Sequence, residues 1–270
     1  MTGESPRRKW SRQGALALAR ARVLVCNDDG IHAPGLKALE RVARKLAREV
    51  WVVAPEEEQS AASHSLTIRR PLRLRELSPR RYAVDGTPTD CVMLAVHKIM
   101  LEGPPDLVLS GFNRGANMGE DVIYSGTVAA AMEAAILGLR AVALSQTIEN
   151  GKPVRWATAE RWAPQVLKRL ASASWPAGVF VNVNFPDEPA RAVAGVEATR
   201  LGRRKLGDEI VEGRDPRGVP FFWIGGQRAE ERHRRGTDLE AVARGAISVT
   251  PLHLDRTHGA SLRSLRRLFP

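Results

Sequence analysis

The chain has 270 residues, 43% of them apolar, with 41 basic and 30 acidic side chains and a net charge of +11. That length suits one large domain, or a core with a smaller appendage, and buries enough surface to need no disulfide staples. No apolar run approaches the ~18 residues of a membrane span, and no Cys/His grouping has zinc spacing.

The basic excess lies at the ends. Residues 1–22 carry +5, residues 256–270 carry +4, and only +2 remains between them. A nucleic-acid-binding domain concentrates its excess on a folded face. These tails read instead as solvated, and nucleic acid is not expected as a partner. Arg7-Arg8 is a twin arginine, but Arg20 and Arg22 interrupt the apolar segment after it. Residues 1–21 are therefore expected to be a basic, poorly ordered extension rather than an export signal. Cys26 and Cys91 lie in apolar segments and read as buried thiols of a reducing compartment.

In chain order, "RVLVC" (22–26) reads as a strand. "APGLKALERVARKLAR" reads as a helix, with Leu36, Leu39, Val42, Ala43 and Leu46 on one face and Pro34 in its first turn. "EVWVVAP" is a second strand, and the polar loop "EEEQSAASHS" follows. "LTIRRPLRLREL" and "RYAVDG" suggest an antiparallel excursion. "PTDCVMLAVHKIML" returns to helix, with Asp90 as its cap. "PDLVLSG" is a third core strand. The loop "FNRGANMGEDVIYS" leads to the helix "GTVAAAMEAAILG". "RAVALSQ" is a strand, "ATAERWAPQVLKRLAS" a helix expected to kink at Pro164, and "GVFVNVNFP" a further strand.

This alternation predicts an α/β fold with a doubly wound, mostly parallel sheet. From about residue 190 the alternation fails. "DPRGVPFFWIGG" and "GAISVTPLHLD" read as strands of an appendage used in packing or oligomer contacts. The expected organisation is a core at about 22–188, an appendage at about 189–255 and a basic tail at 256–270.

Ligands of such sheets bind beyond the C-terminal strand ends. Three polar loops begin there. The first carries Asn27, Asp28, Asp29 and Gly30, the second Gln59, Ser60 and Ser63, and the third Ser110, Gly111, Asn113 and Asn117. Paired carboxylates among hydroxyl and amide oxygens form a site for a hard cation such as Mg²⁺ or Mn²⁺. The plainer reading is one aspartate capping the next helix and the other facing water. Ser125-Gly126-Thr127 opens a helix whose free N–H groups suit a phosphate, or is a simple cap. There is no GxGxxG, GxxxxGK[ST] or GxSxG. His32 and His64 fall in these loops and neither is assigned a role.

Together, "NDDGIHAPG", "GTPTDCV", "SGFNRGANMGEDVIYSGTVAAAMEA", "NVNFP" and "GAISVTPL" resemble the SurE family of metal-dependent 5'(3')-nucleotidases over about residues 22–255. The resemblance implies a Rossmann-like core whose C-terminal extension makes oligomer contacts in a homodimer or homotetramer. It also implies a cytoplasmic location and phosphate release from nucleoside monophosphates. One divalent cation per subunit would be held by Asp28, Asp29, Ser60 and Asn113. The chain departs from the family in its roughly twenty extra N-terminal residues and in "QSAAS", where Ala61 replaces a glycine. If that position needs positive φ, alanine strains the loop, and Ser63 becomes the alternative ligand.

The expected chemistry is attack of a metal-activated water on phosphorus, with Asp28, Asp29 and Asn113 as the catalytic set. Ser125, Gly126 and Thr127 would receive the phosphate, and Asn117 would orient substrate or water. Two rivals are an aspartyl-phosphate phosphatase, whose DxD spacing is absent, and a non-catalytic nucleotide- or RNA-binding module gripping phosphates with the basic tails.

Overall fold

Buried apolar runs become the central strands, and the amphipathic segments between them become the covering helices. The computed structural model describes residues 14–149, 151–204, 206–227 and 233–269. In chain order the strands are β1 (Arg22–Cys26), β2 (Glu49–Pro55), β3 (Leu74–Ser78), β4 (Arg81–Val84), β5 (Leu107–Arg114), β6 (Arg140–Gln146), β7 (Val179–Phe185), β8 (Gly195–Ala198), β9 (Leu206–Arg214), β10 (Pro220–Gln227) and β11 (Ala246–His253). The helices are α1 (Pro34–Leu46), α2 (Pro88–Leu94), α3 (Gly126–Ile136), α4 (Trp156–Ser172), α5 (Asp238–Ala243) and α6 (Gly259–Leu268).

One sheet has nine strands in the order β3-β4-β2-β1-β5-β6-β7-β11-β8. β4, β2, β1, β5, β6 and β7 run parallel. Side chains alternate across β1, as the period of a strand requires. Val23 and Val25 pack under Leu36, Leu39 and Leu167. Leu24 and Cys26 pack on the opposite face with Cys91, Val128 and Ala130. Each such fully buried side chain stabilises by about 1.5–3 kcal/mol. The chain leaves β1 for β2 on one side and later returns to β5 on the other. The order therefore reverses between β1 and β5, and their C-terminal ends open a crevice there.

Several expectations are corrected. β11 is not part of an appendage. It pairs antiparallel with β7 and carries β8 at the sheet edge. Its Ala246 and Ile247 are fully buried. Among the described residues, the β9–β10 hairpin alone stands outside the main sheet. The excursion after β2 is shorter than expected, because "LTIRRP" forms no strand and only β3 and β4 pair. Asp90 is not the cap of α2. Thr87 caps it, with Asp90 as the reciprocal partner of a capping box and Pro88 in the first turn. As expected, Pro164 lies inside a single helix, α4.

Residues 1–13 of the expected extension lie outside the described residues. Residues 14–21 pack onto the core instead of extending from it. Leu18 and Ala21 are buried, and the Leu16 N–H donates to the Ala171 carbonyl at 2.7 Å. The basic tail coils into α6, an amphipathic helix with no buried residue. Among the described residues, no helix is long and apolar enough to cross a membrane.

Candidate active site

The loops after β1, β2 and β5 converge on one cleft of about 530 Å³. Asp28, Asp29, Ser60, Asn113, Asn117 and Ser125 all line it. Gly126 and Thr127 lie directly behind this surface.

Asp28 is 5% exposed. Its Oδ1 accepts a hydrogen bond from the Thr127 hydroxyl. Burial pushes its pKa up, and the Thr127 hydroxyl and backbone N–H partly offset that. α3 also directs its N-terminal positive dipole end at this carboxylate. A Cβ at residue 126 would lie 2.8 Å from Asp28 Cβ and 3.0 Å from its Oδ2. Only glycine lets the helix approach this closely.

Asp29 accepts from the Arg114 backbone N–H through Oδ2 at 3.1 Å. Its Oδ1 has no hydrogen-bond partner among the described residues. Burial, and then repulsion from Asp28, raise its pKa from 3.8 to about 7. Two carboxylates are thus held in a place that disfavours their charge.

The β2 loop supplies the next donor. The Gln59 N–H donates to the Asp28 carbonyl at 2.8 Å. Ser60 Oγ donates to Glu58 at 2.6 Å, which leaves its lone pairs to the cleft. Ser63 is turned away. Its hydroxyl donates to the Ile123 carbonyl at 2.8 Å and its N–H to the Tyr124 carbonyl at 3.1 Å. The geometry therefore brings Ser60, not Ser63, to the cleft. Ala61 has φ 59°, in the left-handed region that favours glycine. The strain expected from this departure is real, and the loop is closed over it by the Ser63 bonds.

Asn113 donates its side-chain N–H to the Gly115 carbonyl at 3.0 Å, which directs Oδ1 the other way. Asn117 is held on every side. Its N–H meets Asn184 Oδ1 at 2.9 Å, and its Nδ2 meets Ser145 at 2.9 Å. Its carbonyl accepts from Asn182 at 2.8 Å and Asn184 at 3.0 Å. The "NVN" motif of β7 is thus a clamp on the β5 loop. Ser125 Oγ accepts from the Val128 N–H at 3.0 Å as the cap of α3. His64 contacts Glu133 of α3 at 2.8 Å and does not line the cleft.

Among the described residues, no group of three or more His, Cys, Asp and Glu side chains is placed to hold a metal. A cation here would rest on two carboxylates and neutral oxygens. The free Oδ1 of Asp29, the Ser60 hydroxyl and the Asn113 carbonyl supply that chemistry, which suits a hard divalent ion. The description "Survival protein SurE" matches residues 23–208.

The chain belongs to the SurE family.

A protein of Paramagnetospirillum magneticum named 5'-nucleotidase SurE is 63% identical over 248 residues, covering 92% of this chain and 95% of that one. One of the same name from Rhodospirillum rubrum is 55% identical over 255 residues, covering 93% and 97%. The crystal structure of the SurE protein from Aquifex aeolicus superposes with a TM-score of 0.80 at 39% identity, covering 92% of this chain and all of that one.

Two cleft residues of this SurE-family chain were missed by sequence reasoning. Arg114 lines the cleft among Asp28, Asp29, Glu58 and Asp121. It is the cleft's one cationic side chain among the described residues, and it makes no ion pair there. Its position one residue after Asn113 was the available signal. Trp156, the first residue of α4, also lines the cleft.

Proposed function

We propose that this chain is a divalent-metal-dependent phosphomonoesterase that releases phosphate from nucleoside 5'-monophosphates. The observation that carries the proposal is the pair of adjacent carboxylates at the sheet's reversal point, Asp28 buried and Asp29 half-buried, both lining the cleft. The 5'-nucleotidase names of the relatives support the reaction class.

Asp28, Asp29, Ser60 and Asn113 would hold the cation. When bound, it supplies charge to polarise a phosphoryl oxygen and to lower the pKa of a water. Thr127 and Gly126 act on Asp28 and not on phosphate: the hydroxyl and the helix end fix that carboxylate. Asn117 anchors the loop that presents Asn113. Arg114 and the Ser125 side of the cleft receive the phosphoryl oxygens, where a guanidinium makes strong charge-assisted bonds. An aspartate left partly free of the cation would accept the proton of the attacking water.

The 3'-monophosphates and short polyphosphates fit the same phosphate chemistry and belong in the substrate panel. Oligomerisation is proposed through the β9–β10 hairpin. Phe222, Trp223 and Ile224 are exposed on it, Ile224 by 77%. An isolated two-stranded ribbon is marginal in water, so a second copy is its expected cover. Cys26 and Cys91 are free and buried, in keeping with a cytoplasmic location.

The test is phosphate release by the chain and by Asp29→Ala. Turnover that requires Mg²⁺ or Mn²⁺ and is lost in D29A, with an unchanged circular dichroism spectrum, supports the reading. Full activity in D29A contradicts it. The binding-module alternative predicts nucleotide binding that survives EDTA and falls steeply with salt.

A further inference from the structure

The cleft has more room than a phosphate requires. Its volume of about 530 Å³ lies within the range of pockets that enclose small organic ligands. Its lining changes character along its length. The carboxylates and Arg114 form one part, and Pro34, Val154 and Trp156 form an apolar part.

Trp156 is held in place by its surroundings. It is half-buried and packs against the core that includes Leu36 and Leu39. A Cβ at Gly35 would lie 2.8 Å from Trp156 Cη2 and 2.0 Å from the Phe112 carbonyl oxygen. The first turn of α1 is thus left open where the indole enters. The Trp156 N–H donates to the Val154 carbonyl at 3.0 Å, and neighbouring Arg155 pairs with Asp187 at 3.1 Å. The indole N–H groups of Trp51, Trp162 and Trp175 each have an acceptor. That of Trp156 has none among the described residues. A ring already fixed in place loses little freedom when a ligand stacks on it, and every nucleobase offers a π face.

We infer that Trp156 is the platform on which the base of a nucleoside monophosphate stacks, with its phosphate at the carboxylate part of the same cleft. The inference rests on the phosphomonoesterase reading for the identity of its ligand. A platform reads the face of a base and not its edge. Purines are therefore favoured by their larger area, with little discrimination between adenine and guanine.

The test compares binding of phosphonate analogues of AMP and of ribose 5-phosphate, by titration calorimetry with Mg²⁺, to the chain, Trp156→Phe and Trp156→Leu. Melting temperatures confirm that both variants fold. The unaltered chain should bind the AMP analogue about tenfold or more tightly than the ribose analogue, given the usual strength of base–aromatic stacking. W156L, which fills the wall without a π face, should lose that preference, and W156F should keep most of it. All three should bind the ribose analogue alike. The inference is overturned if the unaltered chain shows no preference, if W156L keeps it, or if W156L loses both ligands equally. Phosphate release from AMP is assayed separately. Trp156-dependent binding without release contradicts the phosphomonoesterase reading and leaves the platform standing. Failure of the unaltered chain to bind either analogue contradicts both.

Discussion

The Thr127 hydroxyl donates to Asp28 Oδ1 across 99 residues of sequence. That bond joins the start of α3 to the end of β1, and Gly126 makes it possible by carrying no side chain. Replacing Gly126 with alanine puts a methyl 2.8 Å from Asp28 Cβ, where neither backbone can yield cheaply. The carboxylate or the helix must move. G126A is expected to lose activity on the order of a hundredfold, the cost of ångström-scale misplacement. Steady-state kinetics of G126A, with its melting curve, check this. Wild-type activity would show that the approach is not needed.

Arg114 lines the cleft with Asp28, Asp29, Glu58 and Asp121, and it is the one cationic side chain of that lining among the described residues. R114A is expected to raise KM for a nucleoside monophosphate and to weaken inhibition by inorganic phosphate, each by about tenfold, in line with a lost charge-assisted bond. R114K should recover part of the effect. An unchanged inhibition constant for phosphate would remove Arg114 from the anion site.

Ala61 sits at φ 59°. The left-handed region costs about 1–2 kcal/mol for an L-residue, while glycine's extra freedom in the unfolded chain returns about 0.4–1 kcal/mol. Ala61→Gly is therefore expected to stabilise by up to about 1.6 kcal/mol. Urea unfolding should show a higher midpoint at unchanged slope. A lower midpoint would mean that the unfolded-state effect dominates.

The Asp29 pKa is raised to about 7 in the metal-free protein, by burial and by Asp28. In the unfolded chain the group ionises near 3.8. Between these values the folded state binds more protons, so metal-free stability falls as pH rises through that window. A divalent cation takes the proton's place. The rise in melting temperature on adding excess Mg²⁺ should be larger at pH 8 than at pH 5, and D29N should flatten the metal-free slope. An equal metal shift at both pH values would contradict this.

Much of the fold was legible because local and global signals agree. The apolar runs of β1, β2, β5, β6 and β7 and the helical periodicity of α1 are strong, and Pro34 begins α1 as its type suggests. β11 was misassigned because a strand's sequence does not state its partner. "GAISVTPL" reads equally well at the edge of an appendage or beside β7. In the site, the three loops were legible from polar residues at strand ends. The atomic roles were not, since Thr127 could have faced phosphate as readily as Asp28. Trp156 was missed because a lone tryptophan at the start of an amphipathic helix reads as an ordinary packing residue. The "NVN" asparagines were visible in the sequence, but their clamp on Asn117 exists only in three dimensions.

The most direct test of the central claim is phosphate release from nucleoside 5'- and 3'-monophosphates, with Mg²⁺ or Mn²⁺ and with EDTA, for the chain and for D29A. The account predicts release that needs the metal, stops in EDTA and is abolished in D29A. Release that persists in EDTA, or in D29A, would contradict a cation site on Asp28 and Asp29.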